Sequence, residues 1–188
     1  FFQGCPLRCA FCHNPDTWDI NRPVQYELTP EELLAEVKKY KNFIRSGGVT
    51  CTGGEPLMQA EFLTEFFRLC RQSGFHTALD TSGAVFNAQV KAALEETDLV
   101  LLDIKTLDDA LHKAYVGAPR TNNQAMLDYL QSIGKPTWIR HVVVPGYTDN
   151  DERLHALAAH VAQTATHERQ ETRHHHLLGK LKYTDPRR

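Results

Sequence analysis

Gly4-Cys5-Pro6-Leu7-Arg8-Cys9-Ala10-Phe11-Cys12-His13-Asn14-Pro15 sets three cysteines at C-x3-C-x2-C spacing, with glycine before the first, proline after it and no fourth cysteine at short range. Soft thiolates favour zinc or an iron–sulfur cluster over hard cations. Three of them leave one corner of a 4Fe-4S cluster without a protein ligand, and that iron is open to a small molecule. A closed structural zinc site wants four ligands, usually as paired C-x2-C units, and no second pair follows. His13 adjoins Cys12 and is badly placed to close the same tetrahedron. Structural zinc and, in a secreted protein, a chance disulfide stay open as other readings.

Outward from this loop, the chain has 188 residues, 41% hydrophobic, enough to bury one core. We expect a single domain over 1–188, well patterned through 164 and atypical from 165 to 188. A formal net charge of −2 gives no electrostatic pull toward nucleic acid. No apolar run is long enough for a membrane span, and no signal peptide is visible. Five cysteines, three clustered and Cys51 and Cys70 scattered, do not read as a secreted disulfide framework. A cytoplasmic protein, monomeric and without nucleic-acid or membrane partners, is the expectation. Phe1-Phe2 reads as the end of an apolar strand, and a start at Phe rather than Met reads as an incomplete N-terminus.

Thr29-Pro30-Glu31-Glu32 carries an N-cap, a first-turn proline and a capping-box glutamate, predicting a helix to about Arg45. Val49-Thr50-Cys51 predicts a strand entering Gly53-Gly54-Glu55-Pro56, followed by a helix from about Met58 to Gln72. Strands are predicted at Phe75–Leu79, Asp98–Lys105 and Pro136–Val144. Helices are predicted from Asn87 to Glu96, Asp108 to Ala114, Asn122 to Ile133 and Asn150 to Gln163. Apolar strands alternating with helices predict a parallel sheet. The polar motifs fall at or past successive strand ends, the face where barrel enzymes carry their chemistry. An open doubly wound sheet also binds ligands at carboxyl ends, but at one switch point.

The cysteine spacing followed by Gly53-Gly54-Glu55-Pro56 resembles the radical S-adenosylmethionine superfamily. The fuller run from Phe1-Phe2-Gln3-Gly4 through Asn14-Pro15-Asp16-Thr17-Trp18 resembles its glycyl-radical-enzyme activases, the pyruvate formate-lyase activating enzymes in particular. The resemblance implies a partial (β/α)6 TIM-like barrel, incomplete at the N-terminus and around the last strand. It implies Cys5, Cys9 and Cys12 as ligands of a 4Fe-4S cluster whose open iron binds S-adenosylmethionine, with Phe11 and His13 in the segment approaching that cofactor. Gly53 and Gly54 would let backbone come close to the methionyl group, with Glu55 supporting the loop. Asp103-Ile104-Lys105 would bind the cofactor, and period two puts Asp103 and Lys105 on one strand face. Asp80 and Thr81, with Asp103, would hold a monovalent cation. Arg140 is a candidate for the cofactor carboxylate.

The implied reaction is reductive cleavage of S-adenosylmethionine to a 5′-deoxyadenosyl radical, which takes hydrogen from a glycine Cα of pyruvate formate-lyase. A flavodoxin or similar carrier would supply the electron. Activation of another glycyl-radical enzyme, such as anaerobic ribonucleotide reductase, or other radical chemistry is the neighbouring reading. A zinc-binding interaction module is the distant one. The end of the chain departs from the family. His176-Leu177-Leu178-Gly179 matches the late part of its pattern and offers His176 to the cofactor. Yet 165–175 is polar and histidine-rich where an apolar strand belongs, so that strand is expected to be lost or the local reading frame altered.

Overall fold

The computed structural model describes residues 1–44 and 47–163 in full and the backbone of 167–174. Five strands, β1 (Gly48–Cys51), β2 (His76–Thr81), β3 (Leu99–Asp103), β4 (Thr137–Val143) and β5 (His167–His174), lie side by side in chain order. Every adjacent pair is parallel. Helices α1 (Pro30–Lys39) and α2 (Lys41–Ile44) precede β1. They are followed by α3 (Ala60–Gln72), α4 (Ala88–Glu95), α5 (Asp109–Val116), α6 (Thr121–Ser132) and α7 (Asp151–Ala162). Among the described residues the spatial order never reverses and so has no switch point, which separates this sheet from a doubly wound one and fits a partial barrel.

Local chemistry accounts for the element ends. At α1, Glu32 N donates to the Thr29 hydroxyl at 3.3 Å and Thr29 N donates to Glu32 Oε2 at 2.8 Å, a reciprocal capping box. The helix expected to reach Arg45 instead breaks at Tyr40 and resumes as the four-residue α2. Asn87, Asp108 and Asn150 cap α4, α5 and α7 through their side chains. Leu63, Phe66, Phe67 and Cys70 of α3 are buried in one core with Cys51 of β1 and Leu79 of β2. Truncating a fully buried Phe67 to alanine in such a core costs about 3–5 kcal/mol.

One sequence expectation changes. The segment from 165 to 175 was expected to supply no strand, yet the backbone of β5 pairs with β4, Arg140 opposite Glu171 and Val143 opposite His174. Pairing uses main-chain groups, and β5 ends the sheet among the described residues, where polar strands are common. Phe2 forms a parallel bridge to Gly53 and sets its ring edge-on to Phe62 of α3, at 5.7 Å between centroids. The start of the chain therefore occupies a further position beside β1.

Candidate functional site

Backbone hydrogen bonds seat the cysteine loop on three neighbours. Phe2 N donates to Thr52 O, Gly54 N to Phe2 O and Glu55 N to Gly4 O, at 2.6, 2.9 and 2.8 Å. Arg8 N and Ala10 N reach Val116 O and Tyr115 O at the end of α5, at 3.0 and 2.8 Å. The connector after the loop, which the sequence did not place, folds back so that Gly4 N meets Thr17 O and Cys5 N meets Trp18 O. The glycines serve this stitching. A Cβ on Gly53, whose φ is +120°, would fall 2.4 Å from Phe2 N, and one on Gly54 would fall 2.2 Å from Gly4 O.

Cys5, Cys9 and Cys12 line one cavity of about 260 Å³ above the carboxyl ends of β1 to β3. Phe11, His13, Gly53 and Gly54 line it too, as do Asp80, Thr81, Asp103, Lys105 and Arg140. Among the described residues no three His, Cys, Asp or Glu side chains are placed to hold a single metal ion. Burial pushes the Cys5 thiol up to about 11 and the Cys9 thiol up to about 12, so both stay protonated unless a cation draws the thiolate out. The soft donor set on one wall, with no fourth cysteine lining the cavity, fits an under-ligated iron–sulfur cluster.

Across the cavity lies a balanced charge cluster. Lys105 Nζ is 2.7 Å from Asp103 Oδ2, and Arg140 Nε is 3.0 Å from Asp103 Oδ1. The other arm of Arg140 donates to Asp80 Oδ1, and the Thr52 hydroxyl donates to Asp80 Oδ2 at 3.1 Å. Burial alone would raise the Asp103 carboxyl, but Lys105 and Arg140 together carry it below its ordinary value. Asp80 moves the other way, raised by burial and by the Asp103 charge against the pull of Arg140. Burial likewise opposes charge on Lys105, and Asp103 overcomes it, so the ammonium is held well above its usual range.

Two expected site residues, Ile104 and Arg140, sit differently, and Glu55 supports its loop from outside the cavity. Glu55 is 1% exposed and is not part of the cavity wall. Its carboxylate accepts the Thr81 hydroxyl at 2.7 Å, Ser82 N at 3.0 Å, the Ser82 hydroxyl and Leu57 N, buckling the glycine loop to the end of β2. Burial still pushes its carboxyl up against these four donors. Ile104 joins Val100 and Leu102 in the core, because alternation turns it away from Asp103 and Lys105. Arg140 reaches the cavity with both carboxylates already on its guanidinium. His176 lies outside the described residues. Thr17 and Trp18, which belong to the quoted N-terminal run, and Thr52 and Ser82, which adjoin the glycine and Asp-Thr motifs, line the cavity without having been named as site residues.

A parallel barrel-type sheet with three cysteine thiols on one wall of a strand-end cavity defines a radical S-adenosylmethionine protein. Residues 1–158 match the Radical SAM superfamily. The chain is 42% identical to pyruvate formate-lyase 1-activating enzyme of Escherichia coli K12, over 97% of this chain and 75% of that one. It is 44% identical to the pyruvate formate-lyase-activating enzyme of Clostridium pasteurianum, over 97% and 76%. A solved domain of pyruvate-formate lyase-activating enzyme from Bacteroides vulgatus superposes with a TM-score of 0.59 at 28% identity, covering 64% of this chain and 75% of that one. Streptococcus suis SuiB bound to S-adenosylmethionine superposes at 0.77 with 18% identity, over 93% of this chain and 39% of that one, a likeness of fold. The chain belongs to the radical SAM superfamily, in the family of the pyruvate formate-lyase-activating enzymes.

Proposed function

We propose that this chain activates pyruvate formate-lyase by generating its glycyl radical with S-adenosylmethionine and a 4Fe-4S cluster. One observation carries the reading: the three family-spaced cysteines share a cavity with Asp103 and Lys105 in a chain 42% identical to an activating enzyme over nearly its whole length. Cys5, Cys9 and Cys12 would hold the cluster. When bound, the two cofactors supply one-electron cleavage of a sulfonium and removal of a hydrogen atom from the partner's glycine.

The chain's own residues orient and shield that chemistry. Gly53 and Gly54 bring main chain to the cavity wall and tie it to the segment entering Cys5. Lys105, kept charged by Asp103, offers a buried cation to an anionic group of the cofactor. Glu55 holds the glycine loop without touching the cavity. Arg140 positions the two carboxylates rather than standing free for a cofactor carboxylate. A monovalent cation beside Asp80 and Asp103 stays within the proposal, supported by the two carboxylates lining the same cavity. Asp103 would take part in it, while the Thr81 hydroxyl is already shared between Glu55 and Gly83 N.

The partner's glycine loop is the proposed substrate, a flavodoxin-like protein the electron donor, and the cytoplasm the setting of a monomeric enzyme. Among the described residues no helix is long and apolar enough to cross a membrane. Anaerobic co-incubation with pyruvate formate-lyase, or with anaerobic ribonucleotide reductase, and electron paramagnetic resonance of the glycyl signal tests the choice. The reading expects a signal with the former; a signal only with the latter overturns it.

A further inference from the structure

We infer that Asn123 is a positioning residue for the cofactor-facing strand ends, a clamp joining the turn after β2 to the turn after β3. Its side chain is buried, at 7% exposure, in the first turn of α6. The Nδ2 atom donates to Ser82 O at 2.8 Å and to Asp103 O at 3.0 Å. An amide nitrogen carries two hydrogens, and both face carbonyl oxygens, so the orientation of the amide follows from its partners.

The turn after β2 comes close to this side chain. Gly83, at φ +66°, lets α6 approach: a Cβ at that position would sit 3.2 Å from both Asn123 Cα and Asn123 Nδ2. Ser82 in turn is held by Glu55, and Asp103 carries Lys105 and Arg140 on its carboxylate. One amide therefore links the glycine-loop buckle to the acid–lysine pair through two main-chain carbonyls, at a distance from the cavity itself. No other side chain donates to both carbonyls among the hydrogen bonds described. Loss of the amide frees Asp103 and Ser82 to separate, and the cavity wall formed by β2 and β3 loses its spacing. Small displacements of a binding group are costly because its partners are placed for one geometry.

This inference rests on the proposed cofactor, so its test has one arm that does not. Asn123→Asp puts a carboxylate against two carbonyl oxygens, Asn123→Ala removes both bonds without adding charge, and Asn122→Asp changes the neighbouring side chain, which reaches only Ala84 O. Hydrogen exchange on the full chain without cofactors is expected to quicken at Gly83 and Ile104 in both Asn123 variants and to stay unchanged at those two amides in Asn122→Asp. In reconstituted protein the Asn123 variants are expected to bind S-adenosylmethionine on the order of tenfold more weakly, as when a second-layer partner is lost, at unchanged iron content. Parental affinity with exchange quickened only along α6, or the same loss in Asn122→Asp, would overturn the clamp. Were the parent itself to bind no S-adenosylmethionine, the functional reading would fall and the exchange pattern alone would decide the role of Asn123.

Discussion

Arg140 Nε lies 3.0 Å from Asp103 Oδ1, across the β3–β4 pair in which these two residues stand directly opposite. The register of two strands thus brings a guanidinium to a carboxylate, and its second arm collects Asp80 from β2. Three strands are braced by one side chain at the level of the cavity floor.

Removing that brace leaves two half-buried carboxylates short of their shared cation. Arg140→Met is expected to destabilise the cofactor-free protein by about 3 kcal/mol in urea unfolding, the range for breaking a buried ion pair on one side. Arg140→Lys recovers part of this, since a single ammonium cannot fork to both acids. A loss below about 0.5 kcal/mol would place the pair among solvent-screened ones.

Glu55 predicts a coupling rather than a simple loss. Glu55→Gln turns one acceptor into a donor facing the Thr81 and Ser82 groups, expected to cost about 2 kcal/mol. A double-mutant cycle with Ser82→Ala should return an interaction energy of about 1 kcal/mol or more. Additive losses would show that the buckle does not act as a unit.

His141 predicts an acid limit to stability. Its ring is buried with Nδ1 at 2.8 Å from Ile104 O, and burial lowers its pKa below the ordinary 6.5. The unfolded chain then binds the proton more readily, so this contribution is present above the unfolded value and is lost as pH falls through the folded one. Between about pH 7 and about pH 5 the parent should lose stability faster than His141→Gln, by at most about 1.4 kcal/mol per pH unit. Parallel slopes would remove His141 from the account.

Cluster assembly should also follow pH, and in the same direction. Cys5 and Cys9 are protonated thiols, and iron takes them as thiolates, so loading releases protons. Iron uptake at limiting iron is expected to rise from about pH 6.5 to about pH 8.5. Cys9→Ala should abolish loading at every pH.

The elements were legible where local chemistry speaks. Thr29 and Glu32 announced α1, Asn87 announced α4, helices starting near Asp108 and Asn150 were legible as well, and apolar runs announced β2 to β4. The strand-end motifs were legible as residue types, and the structure brings most of them to one cavity. What composition hid depends on pairing. β5 is polar, and its place follows from main-chain register with β4. Period two, applied to Asp103 and Lys105, already implied that Ile104 points to the core. Arg140 read as a cofactor contact because a sequence shows a charge without the partners that consume it. Asn123 gave no signal at all, since an asparagine in a first helical turn ordinarily faces solvent.

The account depends on three thiols holding an iron–sulfur cluster that has a corner left for S-adenosylmethionine. Metal content and electron paramagnetic resonance of anaerobically reconstituted, reduced protein, recorded with and without S-adenosylmethionine, test this most directly. The prediction is about four irons per chain and a spectrum that shifts when S-adenosylmethionine is added. Zinc in place of iron, or an iron spectrum indifferent to S-adenosylmethionine, would contradict it.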